Sequence, residues 1–176
     1  MKALYPRAAV GALCLGTLMA ASPALAHVTL ETQEYPAATN AKLVLRVPHG
    51  CGQEAMINMK VRIPEGVLNV KPQPKAGWQL VTVKAKVEPP IKGDHGTQIT
   101  ETVREIHWLG GNLPNEHYDE FAFRAQLPDK PGTTLYIPVV QECTKGANRW
   151  IEIPEAGKTR RDLKEPAPEL RLLPRK

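Results

Sequence analysis

The chain reads as an all-β protein, a single antiparallel β-sandwich of immunoglobulin or cupredoxin type carrying one disulfide. Apolar and polar residues alternate with a period of two through several short runs, and Pro- and Gly-rich turn signals separate one run from the next. In addition, no stretch after residue 26 keeps a 3.6-residue period over three helical turns.

Taken in order, residues 1–26 have the pattern of a secretory signal peptide. Lys2 and Arg7 precede an apolar run over 8–21, and Ala24-Leu25-Ala26 supplies the small-residue cleavage site. That run is too short to cross a bilayer and nothing comparable follows, so the expected product is periplasmic or secreted, without a transmembrane anchor. Cleavage would remove Cys14 and Ser22, the only serine in the chain. Of the 176 residues, the 26 of the leader leave 150, enough for one domain with its own core. The expected sandwich covers 27–155, and 156–176 reads as a Pro- and charge-rich tail, draped on it or partly disordered.

Within the domain, Leu43, Leu45 and Val47 alternate with Lys42 and Arg46, and Ile57, Met59, Val61 and Ile63 with Asn58, Lys60 and Arg62. Val81, Val83, Ala85 and Val87 form a third run, and Phe121, Phe123, Ala125 and Leu127 a fourth. Weaker strands are expected over 28–31, 98–108, 133–141 and 149–153. Pro138 restricts its segment to a sheet edge or a bulge. Met59 has core parity, whereas Met56 has the opposite parity. Turns are predicted at Pro48-His49-Gly50, Pro64-Glu65-Gly66, Pro89-Pro90, Gly110-Gly111, Pro128-Asp129 and Pro131-Gly132.

Composition narrows the function. The leader holds two bases and no acid, so a net charge of +5 becomes +3 on cleavage; this is mild, and no dense basic run is interleaved with aromatics. Nucleic acid is therefore not an expected partner. Cys51 and Cys143 remain, 92 residues apart, and in an oxidising compartment such a pair reads as one disulfide. A serine nucleophile is excluded once Ser22 is gone, and the chain has no GxSxG, HExxH, P-loop or dinucleotide fingerprint. The expectation is that the protein is not an enzyme.

His27 is where metal chemistry points. Cleavage after Ala26 would give one residue a free α-amine and an imidazole, two nitrogens able to chelate one metal in a single ring. These titrate near ~8 and ~6.5, so both lose their protons at modest cost near neutral pH. Nitrogen donors of this kind favour copper among the divalent first-row metals. Further donors should converge on His27. Glu34 could fold back across the turn at Pro36, and an aromatic face such as Trp150 could shield the cation. His49, in a turn beside Cys51, is either turn structure or ligand; His95 reads as solvent-facing, and His107 and His117 share no ligand spacing.

Several segments together resemble the YcnI-type copper-binding family, in the proteobacterial branch that carries the His-Gly-Cys motif. They are Ala26-His27-Val28-Thr29-Leu30, Arg46-Val47-Pro48-His49-Gly50-Cys51, Val61-Arg62-Ile63-Pro64-Glu65-Gly66-Val67, Pro72-Gln73-Pro74-Lys75-Ala76-Gly77-Trp78, Asp119-Glu120-Phe121-Ala122-Phe123, Val139-Val140-Gln141-Glu142-Cys143 and Arg149-Trp150-Ile151-Glu152-Ile153-Pro154. The resemblance implies an exported β-sandwich holding copper(II) (Cu2+) on a mature N-terminal histidine, here His27, with the nearby tryptophan mapping onto Trp150 and a carboxylate onto Glu34. Tyr35-Pro36-Ala37-Ala38 departs from the family's Ala-Pro-Ala-Gly at the loop that follows Glu34. The function implied is copper buffering, trafficking or homeostasis, with an exported or membrane copper-handling protein as partner. Two alternatives stand beside it: an oxidative copper enzyme, and a metal-free sandwich that binds another protein.

Overall fold

A computed structural model of the protein describes residues 27–93 and 96–175. The leader and His95 lie outside the described residues. Among the described residues twelve strands run in chain order: β1 Thr29–Leu30, β2 Glu34–Pro36, β3 Asn40–Val47, β4 Met56–Arg62, β5 Leu68–Pro72, β6 Gln79–Lys92, β7 Gln98–Leu113, β8 Asp119–Gln126, β9 Thr134–Tyr136, β10 Val139–Cys143, β11 Ala147–Trp150 and β12 Glu169–Leu173. Two sheets face each other, one ordered β1-β3-β8-β5 and the other β11-β10-β4-β7-β6; a smaller sheet, β2-β12-β9, adjoins them. All pairings are antiparallel except β12 with β2.

The period-two runs put one face of each sheet into a shared core. Leu43, Leu45, Phe121 and Phe123 from the first sheet meet Met59, Val61, Ile106 and Trp108 from the second, all at most 2 % exposed. The Trp108 and Phe121 rings touch edge to face, 5.3 Å between centroids, an arrangement worth roughly 0.5–1.5 kcal/mol beyond area burial. Cys51 and Cys143 form the expected disulfide.

Four local departures from the alternation have physical causes. A register shift between Met56 and Asn58 lets Met56 turn inward while Ile57 is only half-buried; one extra residue at a bulge reverses parity. The run through Val81, Val83 and Ala85 is a strand, but beyond Glu105 its partner β7 no longer pairs with β4. The β6 side of the ribbon there is open and Val83 is 42 % exposed, while Thr102 and Val103 of β7 stay buried. Pro138 lies in the short connection between two strands, so 133–141 divides between β9 and β10, which lie in different sheets. The segment read as a tail contains β12, the middle strand of the third sheet, with Leu170 and Leu172 fully buried. Alternation over five residues was too short to stand out among the prolines around it.

Candidate metal centre

His27 leads into β1, whose register places Thr29 opposite Arg46 and Leu30 opposite Leu45. Extending that register two residues backwards sets His27 level with Pro48, one residue from His49. The half-buried imidazole meets Trp150 edge to face, with 5.1 Å between ring centroids and 64° between planes. Its Nε2 is buried and has no hydrogen-bond partner among the described residues. A buried polar atom without a partner is uncommon and asks for an explanation. Burial holds this imidazole below the usual 6.5, and the nearby Arg160 guanidinium lowers it further. The neutral ring, the form that binds metals, therefore persists to lower pH than in an exposed histidine.

Trp150 ends β11 and is 3 % exposed. Its indole N–H donates to Gln141 Oε1 at 3.1 Å. Gln141 occupies an inward-facing position of β10 between Val139 and Cys143 and is itself 2 % exposed. The same Oε1 accepts from Asn148 Nδ2 at 3.3 Å, while Gln141 Nε2 donates to the main-chain oxygen of His49 at 2.6 Å. The partners fix the amide's orientation, because an indole nitrogen only donates and a carbonyl only accepts.

The 48–54 turn that offers the His49 carbonyl is held in two ways. Cys51 lies two residues after His49 and Cys143 two after Gln141, so the disulfide fastens turn and strand together beside their hydrogen bond. Gly50 is needed for close approach: a Cβ there would stand 2.2 Å from the Glu54 main-chain oxygen, which the Cys51–Glu54 pairing prevents from retreating.

The other candidate residues have partners of their own. Glu34 lies on β2 with its carboxylate facing Arg171 at 4.0 Å, both side chains more than half exposed. His49 Nδ1 is 2.6 Å from the Gly50 carbonyl oxygen. His107 Nε2 is 2.8 Å from the Glu105 carboxylate. Among the described residues no three His, Cys, Asp or Glu side chains gather into a metal-holding group. The structure thus joins His27 to Trp150, and the donors at hand are nitrogens of one residue. That set fits copper(II) as a two-nitrogen chelate once an α-amine is available.

Sequence reasoning missed Gln141 and Arg160. A signal for Gln141 existed, since Val139-Val140-Gln141-Glu142-Cys143 puts a polar side chain at core parity, where it must find partners. Arg160 carried none, because its approach to His27 depends on how the chain returns after β11.

Residues 27–172 match the family model DUF1775, a domain of unknown function. Among solved structures, the crystal structure of an uncharacterized protein from Nocardia farcinica, described as revealing an immunoglobulin-like fold, is 20 % identical, with a TM-score of 0.61. The match covers 84 % of this chain and 98 % of that one, and at this identity it shows the fold alone. No curated protein sequence matches the chain. No helix among the described residues is long and apolar enough to cross a membrane.

Proposed function

The chain belongs to the DUF1775 family, the domain of YcnI-type proteins, and from that premise we propose that it is an exported copper(II)-binding protein. It serves copper buffering, trafficking or homeostasis in the periplasm or outside the cell, and it is not an enzyme. The observation that carries this reading is the half-buried imidazole of His27 packed edge to face with Trp150, on the residue that a signal peptidase would leave first. A free α-amine and the imidazole of His27 would hold the ion. Trp150 would close the inner side of the site, its π-face favouring a nearby cation. Glu34 is the carboxylate proposed to join them. Its ion pair with Arg171 is exposed, and releasing it costs at most about 1 kcal/mol. The metal is passed to an exported or membrane copper-handling protein, so the bound ion is cargo.

Copper titration of the processed protein and of His27→Ala tests this. The expected result is one tight equivalent for the first and background binding for the second. Equal affinity of the two would end the copper reading. Failure of the copper-loaded protein to make peroxide from ascorbate and oxygen separates a carrier from an oxidative copper enzyme. A metal-free interaction module is the second reading, favoured by the β6–β7 ribbon with Val83 and Ile91 exposed.

A further inference from the structure

We propose that Gln141 is the positioning residue of this centre: by engaging the indole N–H of Trp150, it turns the ring rather than the N–H toward His27. The inference rests on the copper reading for its purpose but not for its test.

A tryptophan beside a metal can present either its N–H, which only donates and repels a cation, or its electron-rich face, which attracts one. Nothing in the packing of an indole alone chooses between them. Here the choice is made by hydrogen bonding in a dry place. Gln141 is 2 % exposed and Trp150 3 %, so an amide or indole N–H left unpaired there would have no water to replace its partner. Three bonds fix the amide: Trp150 Nε1 and Asn148 Nδ2 donate to its oxygen, and its nitrogen donates to the His49 carbonyl. Its backbone is fixed as well, because β10 is flanked by β4 and β11, and the main-chain oxygen of Gln141 lies 3.7 Å from Cys51 Sγ. Sulfur in a disulfide bears no hydrogen, so that approach is a packing contact.

For His27 this assigns the two ring nitrogens. A chelate ring that includes the residue's own α-amine closes through Nδ1, the ring nitrogen next to the side-chain stem. Nε2 must then carry the proton, and metal-bound histidines usually donate that proton to a carboxylate, carbonyl or water. Among the described residues Nε2 has no such acceptor. The imidazole packs edge to face with the indole, and an aromatic face can accept a weak N–H hydrogen bond. Gln141 thus acts through Trp150 on which nitrogen of His27 is left for the metal.

The test is nuclear magnetic resonance on metal-free protein beginning at His27, labelled with 15N, with the Trp150 indole signal assigned from its loss in Trp150→Phe. The wild type should show cross-peaks from the His27 ring to indole carbon-bound protons and none to the indole N–H. Gln141→Met should move the indole signal upfield, speed its hydrogen exchange, and weaken copper(II) binding by about tenfold. Gln141→Glu, which keeps an acceptor for the indole, should restore the signal. A cross-peak between the indole N–H and the His27 ring would overturn the proposal, with no variant required. So would a Gln141→Met protein whose indole signal and copper affinity are unchanged. Wild-type protein that shows the expected cross-peaks yet binds no copper would sink the copper reading and leave the positioning role standing.

Discussion

The five-stranded sheet has two edges, and they are finished in opposite ways. At one edge is β11, four residues long, whose last residue is the buried Trp150. Chain from far along the sequence covers it: the Arg149 amide donates to Glu165, and Glu152 bridges to Pro166 in parallel register. At the other edge is β6, fourteen residues long and mostly exposed. Nothing described covers it; Lys84, Lys86 and the Pro89-Pro90 pair discourage pairing with another strand. The alternation that puts a residue into the core at one edge leaves it in solvent at the other. Parity decides which way a side chain points, and the neighbouring layer decides whether that direction is dry.

Substitutions at the two edges should differ most in stability. Trp150→Ala should cost about 3–5 kcal/mol in denaturant unfolding, whereas Ile91→Ala on the ribbon should stay within about 0.5 kcal/mol. Comparable losses at both sites would show that the ribbon is packed after all. Reducing the Cys51–Cys143 bond should remove about 4–5 kcal/mol on the chain-entropy model for a 92-residue separation. Reduction should leave His27 able to take up copper, and protection of the thiols from alkylation by copper would mean the cysteines had been misassigned. Gly50→Ala, which forces the 48–54 turn off the Glu54 carbonyl, should cost about 1–3 kcal/mol and disturb the Trp150 edge only.

A smaller effect is pH-dependent. Burial, and then Arg160, lower the His27 value, so the unfolded chain binds the proton more readily than the folded one. Stability from this group is present in full above the ordinary imidazole value of ~6.5 and is lost as pH falls through the lowered folded value. Replacing Arg160 with Gln removes the second cause and should move the His27 titration part of the way back up, which histidine resonances followed against pH would register. No upward movement would place Arg160 away from the ring.

Most of the sandwich was legible because its strongest signal is local. Phe121 to Leu127 alternates, Leu43 to Val47 does so except at the buried Val44, and both runs face the core. Met56 was not legible, because a bulge leaves no mark on periodicity. Nor was β12, whose parallel pairing with β2 joins residues 34–36 to 171–173 and has no signature within either segment. At the candidate site, His27 could be read from the cleavage pattern and Cys51–Cys143 from counting. The contact that gives the site its shape, Trp150 held by Gln141 and Gln141 by the His49 carbonyl, spans three separate stretches of chain and emerges only when the sheets close.

Copper binding as proposed depends on one nitrogen, the α-amine of His27. It is tested most directly by measuring the mass of the exported protein's N-terminus and titrating copper(II) into that protein beside a version with one extra residue before His27. The expected result is a mass beginning at His27, tight binding by the processed protein, and loss of most of that affinity in the extended one. A different first residue, or undiminished binding by the extended protein, would contradict it.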